Sequence, residues 1–351
     1  MRRFYEPIAE QLSRLDVPWI CSYSGGKDST SLVTWMEYMR RMGWITAPKP
    51  RLVMSDTGVE YPFLRDTCIA LMKLLTECGW QCDVVKPKTR EKLYCQIFGR
   101  GITPIYPGIS KMRWCTRATK ISPMDRVLRG MNNLLMLTGV RWGESKMRDQ
   151  KLLRSGCRAG GECGLPAPDE NRYAAIIDWT DCQVYDWLKG HVAVEGMDDV
   201  FAVTGQLMKV YRAKKSEVGF ALSPQKVSLL RFGCVGCPAT RGANRASLRY
   251  ELKDIRLKHL KQLWIMWDRL RRNENRVVQI RDGRNVVGPI KMSVRMAEFS
   301  NFLDIQEKSG VKLVTKKDIR FIHWCWKNKV YPRGWREEDE KTKIPFDFGG
   351  S

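Results

Sequence analysis

The segment Ser24-Gly25-Gly26-Lys27-Asp28-Ser29-Thr30 concentrates two glycines, a lysine, a carboxylate and three hydroxyls in seven residues. Glycines let a backbone pass close to a ligand. A helix starting just after them would present unpaired N–H groups and the positive end of its dipole. Lys27 adds a mobile positive charge, and Ser29 and Thr30 add hydroxyl donors. This is chemistry for gripping a phosphate. The spacing excludes a Walker A loop, which places four residues between its first glycine and the Gly-Lys pair. An ordinary Gly-Gly turn is the bland alternative.

Two further polar clusters carry candidate ligands. In Ser55-Asp56-Thr57-Gly58-Val59-Glu60, Asp56 is placed to bind Mg²⁺ or steer a ribose; Asp56 and Thr57 would serve equally as a helix N-cap. In Gly139-Val140-Arg141-Trp142-Gly143-Glu144-Ser145-Lys146-Met147-Arg148, Arg141 and Arg148 are candidates to clamp phosphate oxygens, and Glu144 to hold Arg141 or a metal. A solvated, charged helix start is the competing reading.

A second chemistry is carried by sulfur. Cys115 stands in Lys111-Met112-Arg113-Trp114-Cys115-Thr116-Arg117, a cationic field expected to depress its pKa and favour the thiolate. Gly233-Cys234-Val235-Gly236-Cys237-Pro238 holds a C-x-x-C pair, and Cys157 and Cys163 sit in a glycine-rich stretch. Zinc would want a second regular pair, and none is evident. Cys115, Cys234 and Cys237, completed by Cys157 or Cys163, would supply four thiolates for a 4Fe–4S cluster. A redox dithiol or persulfide carrier and buried structural thiols are the alternatives. Cys21, Cys68, Cys78, Cys82, Cys95, Cys182 and Cys325 lie in or beside apolar periodic segments, where packing is expected. Three histidines are too few and too scattered for a histidine-based centre. Most of the 13 tryptophans read as core; Trp114 and Trp142, flanked by arginine, are candidates to line a cleft.

The elements that must position these residues alternate. Strands are expected at Val17–Tyr23, Arg51–Ser55, Gln81–Val85, Asn133–Thr138 and Ala174–Asp178. Helices are expected at Leu32–Met42, Tyr61–Cys78, Ser122–Arg129 and Thr180–Leu188, the last capped by Thr180. Strands separated by helices imply an α/β fold with a doubly wound parallel sheet, whose ligand lies beyond the carboxyl ends of the strands. From about residue 190 the texture changes. A long basic amphipathic helix is expected at Leu248–Arg272, a polar loop or hairpin around Asp282-Gly283, helices at Met296–Glu307 and Lys316–Lys327, then an irregular tail. The expected division is a nucleotide-binding domain over 1–190 and a mainly helical, basic region over 191–351.

The 351 residues suffice for a sizeable core, and no apolar run reaches the ~18 residues of a membrane span. The N-terminus lacks an apolar signal core and reads as an amphipathic helix, so a cytoplasmic protein without a disulfide framework is expected. The net charge of +23 exceeds what solubility requires and favours a polyanionic partner, nucleic acid above all.

Taken together, Ser24–Ser29, Asp56-Thr57-Gly58 with Tyr61-Pro62, Arg113-Trp114-Cys115-Thr116, Gly139-Val140-Arg141 with Glu144-Ser145, and Ile177-Asp178-Trp179-Thr180 resemble the PAPS-reductase-like branch of the PP-loop ATP pyrophosphatases. The resemblance covers roughly residues 17–240. It implies an adenine nucleotide alpha hydrolase-like fold. It also implies ATP with Mg²⁺ held by Ser24, Gly25, Gly26, Lys27, Asp28, Ser29, Thr30, Asp56, Gly139 and Arg141, with Lys27, Asp28, Asp56, Arg141 and Glu144 serving the reaction. Within the branch, Gly233-Cys234-x-x-Cys237 resembles the sulfurtransferases of DNA phosphorothioation (the DndC and SspD type). That likeness implies ATP-dependent sulfur insertion into DNA, a cluster on Cys115, Cys234, Cys237 and Cys157 or Cys163, a sulfur donor such as a cysteine desulfurase, and other subunits of a modification system. Glu162-Cys163-Gly164-Leu165 is similar to the Glu-Cys-Gly-Leu-His of true PAPS reductases, where the cysteine is a nucleophile on a C-terminal tail; here it lies mid-chain and Pro166 follows. Reduction of PAPS or APS, thiolation of tRNA or a small molecule, and nucleic-acid binding with nucleotide sensing are the competing functions.

Overall fold

The structure, a computed structural model, describes residues 19–45, 51–106, 113–129, 131, 135–143, 149–150, 153, 172–191, 194–211, 233–239 and 255–341. Its contacts form two compact units that interleave along the chain: Met1–Asp56, Tyr61–Val85 and Met124–Arg231 make the first, and Thr57–Glu60, Lys86–Pro123 and Phe232–Ser351 the second.

The first unit is built on a five-stranded sheet in the order β3-β2-β1-β4-β5, every neighbouring pair parallel. The strands are β1 (Trp19–Tyr23), β2 (Arg51–Ser55), β3 (Gln81–Val85), β4 (Leu135–Leu137) and β5 (Arg172–Tyr173). β1 is the central strand; Trp19, Ile20, Cys21 and Tyr23 are all buried, as a strand covered on both faces requires. The order proceeds outward from β1 to β3 and then reverses with β4 on the other side of β1. Such a switch point opens a crevice between the carboxyl ends of β1 and β4. The α/β, doubly wound parallel fold expected from the sequence is therefore the one observed.

Helix α1 (Lys27–Arg41) follows β1, and α2 (Pro62–Glu77) precedes β3. Helix α3 (Ser122–Leu128) contributes Met124, Val127 and Leu128 to a cluster against Ile20, Val53 and Val85. Helix α4 (Asp181–Leu188) opens on a capping box in which Thr180 and Gln183 satisfy each other's N–H groups, as Thr180 led one to expect. Trp187 Nε1 donates to Thr34 Oγ1 at 2.8 Å and ties α4 to α1. Helix α5 (Asp198–Tyr211), unforeseen in the sequence, is joined to α1 by the Arg41–Asp199 ion pair.

Several expected boundaries move. α1 begins at Lys27, five residues before the expected Leu32, because Gly26 adopts the extended N-cap conformation and the polar residues after it form the first turn. The strand expected at Ala174–Asp178 is instead Arg172–Tyr173. Ile177 N then donates to Ala174 O and Trp179 N to Ile176 O, so the apolar run is buried as turns rather than as a strand.

In the second unit an aromatic core gathers Tyr94, Phe98, Trp267, Phe299 and Phe302, with Tyr94 and Phe302 ring centroids 4.5 Å apart. Phe98 lies in a π-helical turn, Cys95–Gly99. The single helix expected at Leu248–Arg272 is, where described, a 3₁₀ segment Ile255–Lys261 followed by α6 (Gln262–Arg271). β6 (Arg276–Arg281) and β7 (Arg284–Ile290) form an antiparallel hairpin. Its turn residues Asp282 and Gly283 both take positive φ, the geometry a two-residue hairpin turn demands. Helix α7 (Met292–Ser309) is longer than expected and ends on left-handed Gly310. α8 (Lys316–Lys327) has the expected bounds and a Thr315/Asp318 capping box.

Candidate functional site

No side chain caps the N-terminus of α1, so the first-turn N–H groups are left to an external acceptor. Gly25 takes φ +71°, and a Cβ there would collide with Cys68 Sγ; the loop needs glycine for both reasons. The loop is held from inside. Ser29 Oγ donates to Gly26 O (3.1 Å), Thr30 Oγ1 to the same carbonyl (2.9 Å), and Ser24 Oγ lies 3.0 Å from Ser29 Oγ. Thr30 is buried, whereas Ser24 is exposed at the mouth of the loop.

Across the switch point, a Cβ at Gly139 would stand 2.9 Å from the Asp28 carbonyl carbon and Ser29 Cα. Glycine at 139 is therefore what lets the segment after β4 lie against the start of α1. Two residues on, Arg141 is 3% exposed and engages Asp28 Oδ1 through Nε (2.7 Å), Trp179 O through Nη1 (2.7 Å) and Asp181 Oδ1 through Nη2 (2.7 Å). Lys27 Nζ completes a ring, 2.9 Å from Asp28 Oδ1 and 2.9 Å from Asp181 Oδ1, with the Tyr185 ring centroid at 5.8 Å. Two cations and two carboxylates, Lys27, Asp28, Arg141 and Asp181, thus alternate in a closed quartet. Burial acts to raise the Asp181 carboxyl, but Lys27 and Arg141 outweigh it and hold it below the usual carboxylate range. Burial likewise opposes the Arg141 charge, and Asp28 and Asp181 more than restore it.

Asp181 and Tyr185 were not singled out from the sequence, although the Thr180 cap marked the start of their helix. The signal was local; the partnership with Lys27 spans 154 positions. Asp56 is buried, its N–H donating to Val85 O (2.9 Å) and its carboxylate 3.4 Å from Arg65. It caps no helix, since α2 has Tyr61 as N-cap. Trp142 is half-buried, its backbone N–H donating to Ile177 O. Glu144 and Arg148 lie outside the described residues.

The thiol site belongs to the second unit. Cys234 to Cys237 forms a tight turn, Cys237 N donating to Cys234 O (3.2 Å), with Val235 N on Val59 O (2.7 Å). Four side chains bind its successive carbonyls. Tyr94 Oη donates to Val235 O (3.3 Å), Trp267 Nε1 to Gly236 O (2.7 Å), Trp264 Nε1 to Cys237 O (3.2 Å), and the Arg271 guanidinium to Pro238 O. Gly236 has φ +56°, and a Cβ would strike Leu263. These four donors were legible in the sequence only as core aromatics and a basic helix.

Cys115 lies in the middle of the helical turn Trp114–Thr116, whose Trp114 Nε1 donates to Thr103 O at 3.3 Å. The expectation of a depressed Cys115 pKa is overturned. Burial raises it first and the neighbouring Cys237 adds to the rise, while Thr116 and Lys120 do not offset them. Arg113 and Arg117 are exposed, so water screens the field that the sequence suggested. The Cys234 thiol is pushed up to about 12, chiefly by burial, against the pull of Lys120 and with Cys237, Glu60 and Cys115 adding to the rise. Cys115, Cys234 and Cys237 are therefore electrostatic neighbours.

Three thiols are a soft donor set suited to iron–sulfur chemistry, and a cationic centre would relieve the repulsion among their thiolates. Among the described residues, however, no group of three or more His, Cys, Asp or Glu side chains closes a site for a metal ion. Cys157 and Cys163 lie outside the described residues. Of the cysteines expected to pack, Cys21, Cys68, Cys95 and Cys325 are buried, Cys78 and Cys82 are half-buried, and Cys182 is exposed, on the solvent side of α4. No helix among the described residues is long and apolar enough to cross a membrane.

A parallel doubly wound sheet with an uncapped, glycine-bounded loop at its switch point defines the protein as one of the α/β class. Residues 18–194, half of the chain, match the family described as the phosphoadenosine phosphosulfate reductase domain, and the chain belongs to that family. Comparison with curated proteins finds no match. Among solved structures the chain is similar to the phosphoadenylyl-sulfate (PAPS) reductase from Candida auris in its phosphate complex. The identity is 13% and the TM-score 0.33, over 57% of this chain and 92% of that one. It is also similar to the U34-tRNA thiolase NcsA from Methanococcus maripaludis with its 4Fe–4S cluster, at 15% identity and TM-score 0.33, over 76% of this chain and 78% of that one.

Proposed function

We propose that this protein is an ATP-dependent sulfurtransferase that activates an oxygen of nucleic acid, DNA phosphate in the first instance, and replaces it with sulfur. The observation that carries the reading is the pairing, on one chain, of an uncapped phosphate loop at the sheet's switch point with a trio of neighbouring thiols. The Ser24–Thr30 loop supports ATP splitting through its resemblance to the PP-loop.

In this reading the α1 N–H groups and Lys27 receive the β,γ-phosphates, with Mg²⁺ assisted by Asp28 or Asp56. A nonbridging phosphate oxygen of the acceptor attacks the α-phosphorus of ATP. The bond to the bridging oxygen breaks, and pyrophosphate leaves with the charge that the loop and Lys27 stabilise. Sulfur at the sulfide level then attacks the activated acceptor phosphorus, and AMP leaves. Arg141, its guanidinium already bound to two carboxylates and a carbonyl, holds Asp28 and Asp181 in place. Its geometry supports that positioning role beside the phosphate clamp suggested by the sequence.

A 4Fe–4S cluster would be held by Cys115, Cys234 and Cys237 with Cys157 or Cys163, and when bound would supply iron able to carry sulfide. The chain's own residues orient it: Tyr94, Trp264, Trp267 and Arg271 tether the carbonyls of the Cys234–Cys237 turn. A persulfide donor of the cysteine desulfurase kind, with a thiol reductant supplying two electrons, would furnish the sulfur. Other modification-system subunits are further proposed partners. The net charge of +23 supports the polyanionic acceptor.

The deciding experiment incubates anaerobically purified protein with ATP, Mg²⁺ and DNA, and in parallel with PAPS and a dithiol. Pyrophosphate and AMP formation from ATP is expected. Sulfite from PAPS without pyrophosphate from ATP would establish the second reading, PAPS reduction, which the family description itself favours.

A further inference from the structure

All 13 tryptophans of the chain fall among the described residues, and Trp324 is the only one of them that is exposed, at 55%. It lies on α8, whose buried side consists of Asp318, Ile322 and Cys325. The Phe321 ring stacks on Trp324, with centroids 6.0 Å apart and planes 22° from parallel. On the same helix Lys316, Lys317, Arg320 and Lys327 are exposed. Residues 317, 320, 321, 324 and 327 recur at helical spacing, so cations and stacked rings share one outward stripe.

The charge of this stripe is not neutralised from within. The helix has one acid, Asp318, which is buried, caps the helix N-terminus and pairs with Lys92 Nζ at 2.8 Å. Among the described residues, Lys316, Lys317, Arg320 and Lys327 enter no ion pair. A stripe selected only for solubility would not expose an indole, because exposed aromatic area lowers solubility. Cations flanking an exposed aromatic platform match the two needs of an unpaired nucleic-acid strand: phosphate neutralisation, and a face for a base to stack on.

We infer that the outer face of α8 binds single-stranded nucleic acid, with a base stacked on Trp324 and phosphates on Lys317, Arg320 and Lys327. A duplex keeps its bases stacked on one another and offers the indole no face, so the platform selects unpaired strand. The inference deepens the nucleic-acid part of the function proposed above and rests on that reading for biological context only.

The test measures fluorescence anisotropy of labelled oligothymidylate and oligouridylate of about 16 nucleotides and of a DNA duplex, without ATP. Trp324→Ala is expected to weaken single-strand binding about 5- to 150-fold, with Trp324→Phe restoring most of it. Arg320→Ala should reduce the slope of log affinity against log salt by about 0.7. Binding of either oligonucleotide more tightly than the duplex supports the inference. Unchanged single-strand affinity in Trp324→Ala, or duplex binding as strong as single-strand binding, would overturn it. Trp324 is exposed, so thermal unfolding should match wild type and exclude misfolding. Because no nucleotide is present, loss of binding here is separable from failure of ATP activation: the variant keeps its phosphate loop, and its pyrophosphate release with a saturating acceptor reports on that independently.

Discussion

The Ser24–Thr30 loop and the Cys234–Cys237 turn solve opposite electrostatic problems. Around Lys27 the protein buries charge and balances it completely, two cations against two carboxylates at 2.7–2.9 Å. Around Cys234 it balances nothing. Burial raises the Cys234 thiol, and the backbone is fixed by neutral donors from Tyr94, Trp264 and Trp267 together with Arg271. The contrast decides how each region would receive the ligand proposed for it. An anion arriving at α1 meets cations already oriented but occupied, so it must compete with Asp181 or bring a counter-cation. A soft cation bound as proposed would displace the protons that burial favours on Cys115 and Cys234, so its affinity would rise with pH.

The largest expected effect tests whether the two regions are chemically independent. Cys234→Ser and Cys237→Ser should abolish visible iron–sulfur absorbance in anaerobically purified protein while leaving ATP binding intact; loss of ATP binding would join the two regions into one. Lys27→Ala should do the converse, lowering pyrophosphate release by about 10²- to 10³-fold, the usual cost of deleting one preorganised charge-stabilising donor, with absorbance unchanged. Trp267→Phe removes the donor to Gly236 O and leaves a buried carbonyl unsatisfied, a loss of about 1–3 kcal/mol in denaturant unfolding; an unchanged midpoint would show that the turn is not tethered there.

Smallest is Asp181→Asn, which keeps the shape of the quartet and removes one competing charge. Calorimetry should find pyrophosphate bound about 5-fold more tightly, an effect of about 1 kcal/mol. Weaker binding would instead show that Asp181 chiefly positions Lys27. The variant also separates a pH effect. The Asp181 carboxyl is depressed in the folded protein, so its stabilising contribution is present above the ordinary carboxylate pKa and is lost as pH falls through the lower folded value. Wild type and variant should therefore converge in stability only under acid conditions, as urea midpoints across the acid range would show.

Much of the first unit was legible because its signals are local. Gly25 and Gly26 announce a turn through backbone freedom, the strand-helix alternation announces a parallel sheet, and Thr180 announces a helix start. Where local pattern and tertiary demand diverge, legibility failed. Ala174–Asp178 is apolar enough for a strand, yet its backbone closes on itself in turns. Cys115 has cations beside it in sequence, yet Arg113 and Arg117 face solvent while Cys115 faces Cys237. The indole of Trp324 looked like core, because a helical stripe does not say which of its faces will be covered.

By itself the sequence determined the α/β class, the loop that could grip phosphate and the thiols that could hold soft metal. Each depends on residue type and spacing over a few positions, where covalent geometry and helical or strand period set the outcome. Only the tertiary structure decided that Asp181 occupies Lys27 and Arg141, that three aromatic residues and Arg271 suspend the Cys234–Cys237 turn, and that burial raises the Cys234 thiol. Those outcomes depend on which distant groups are brought together and which are removed from water, and neither is a property of neighbouring residues.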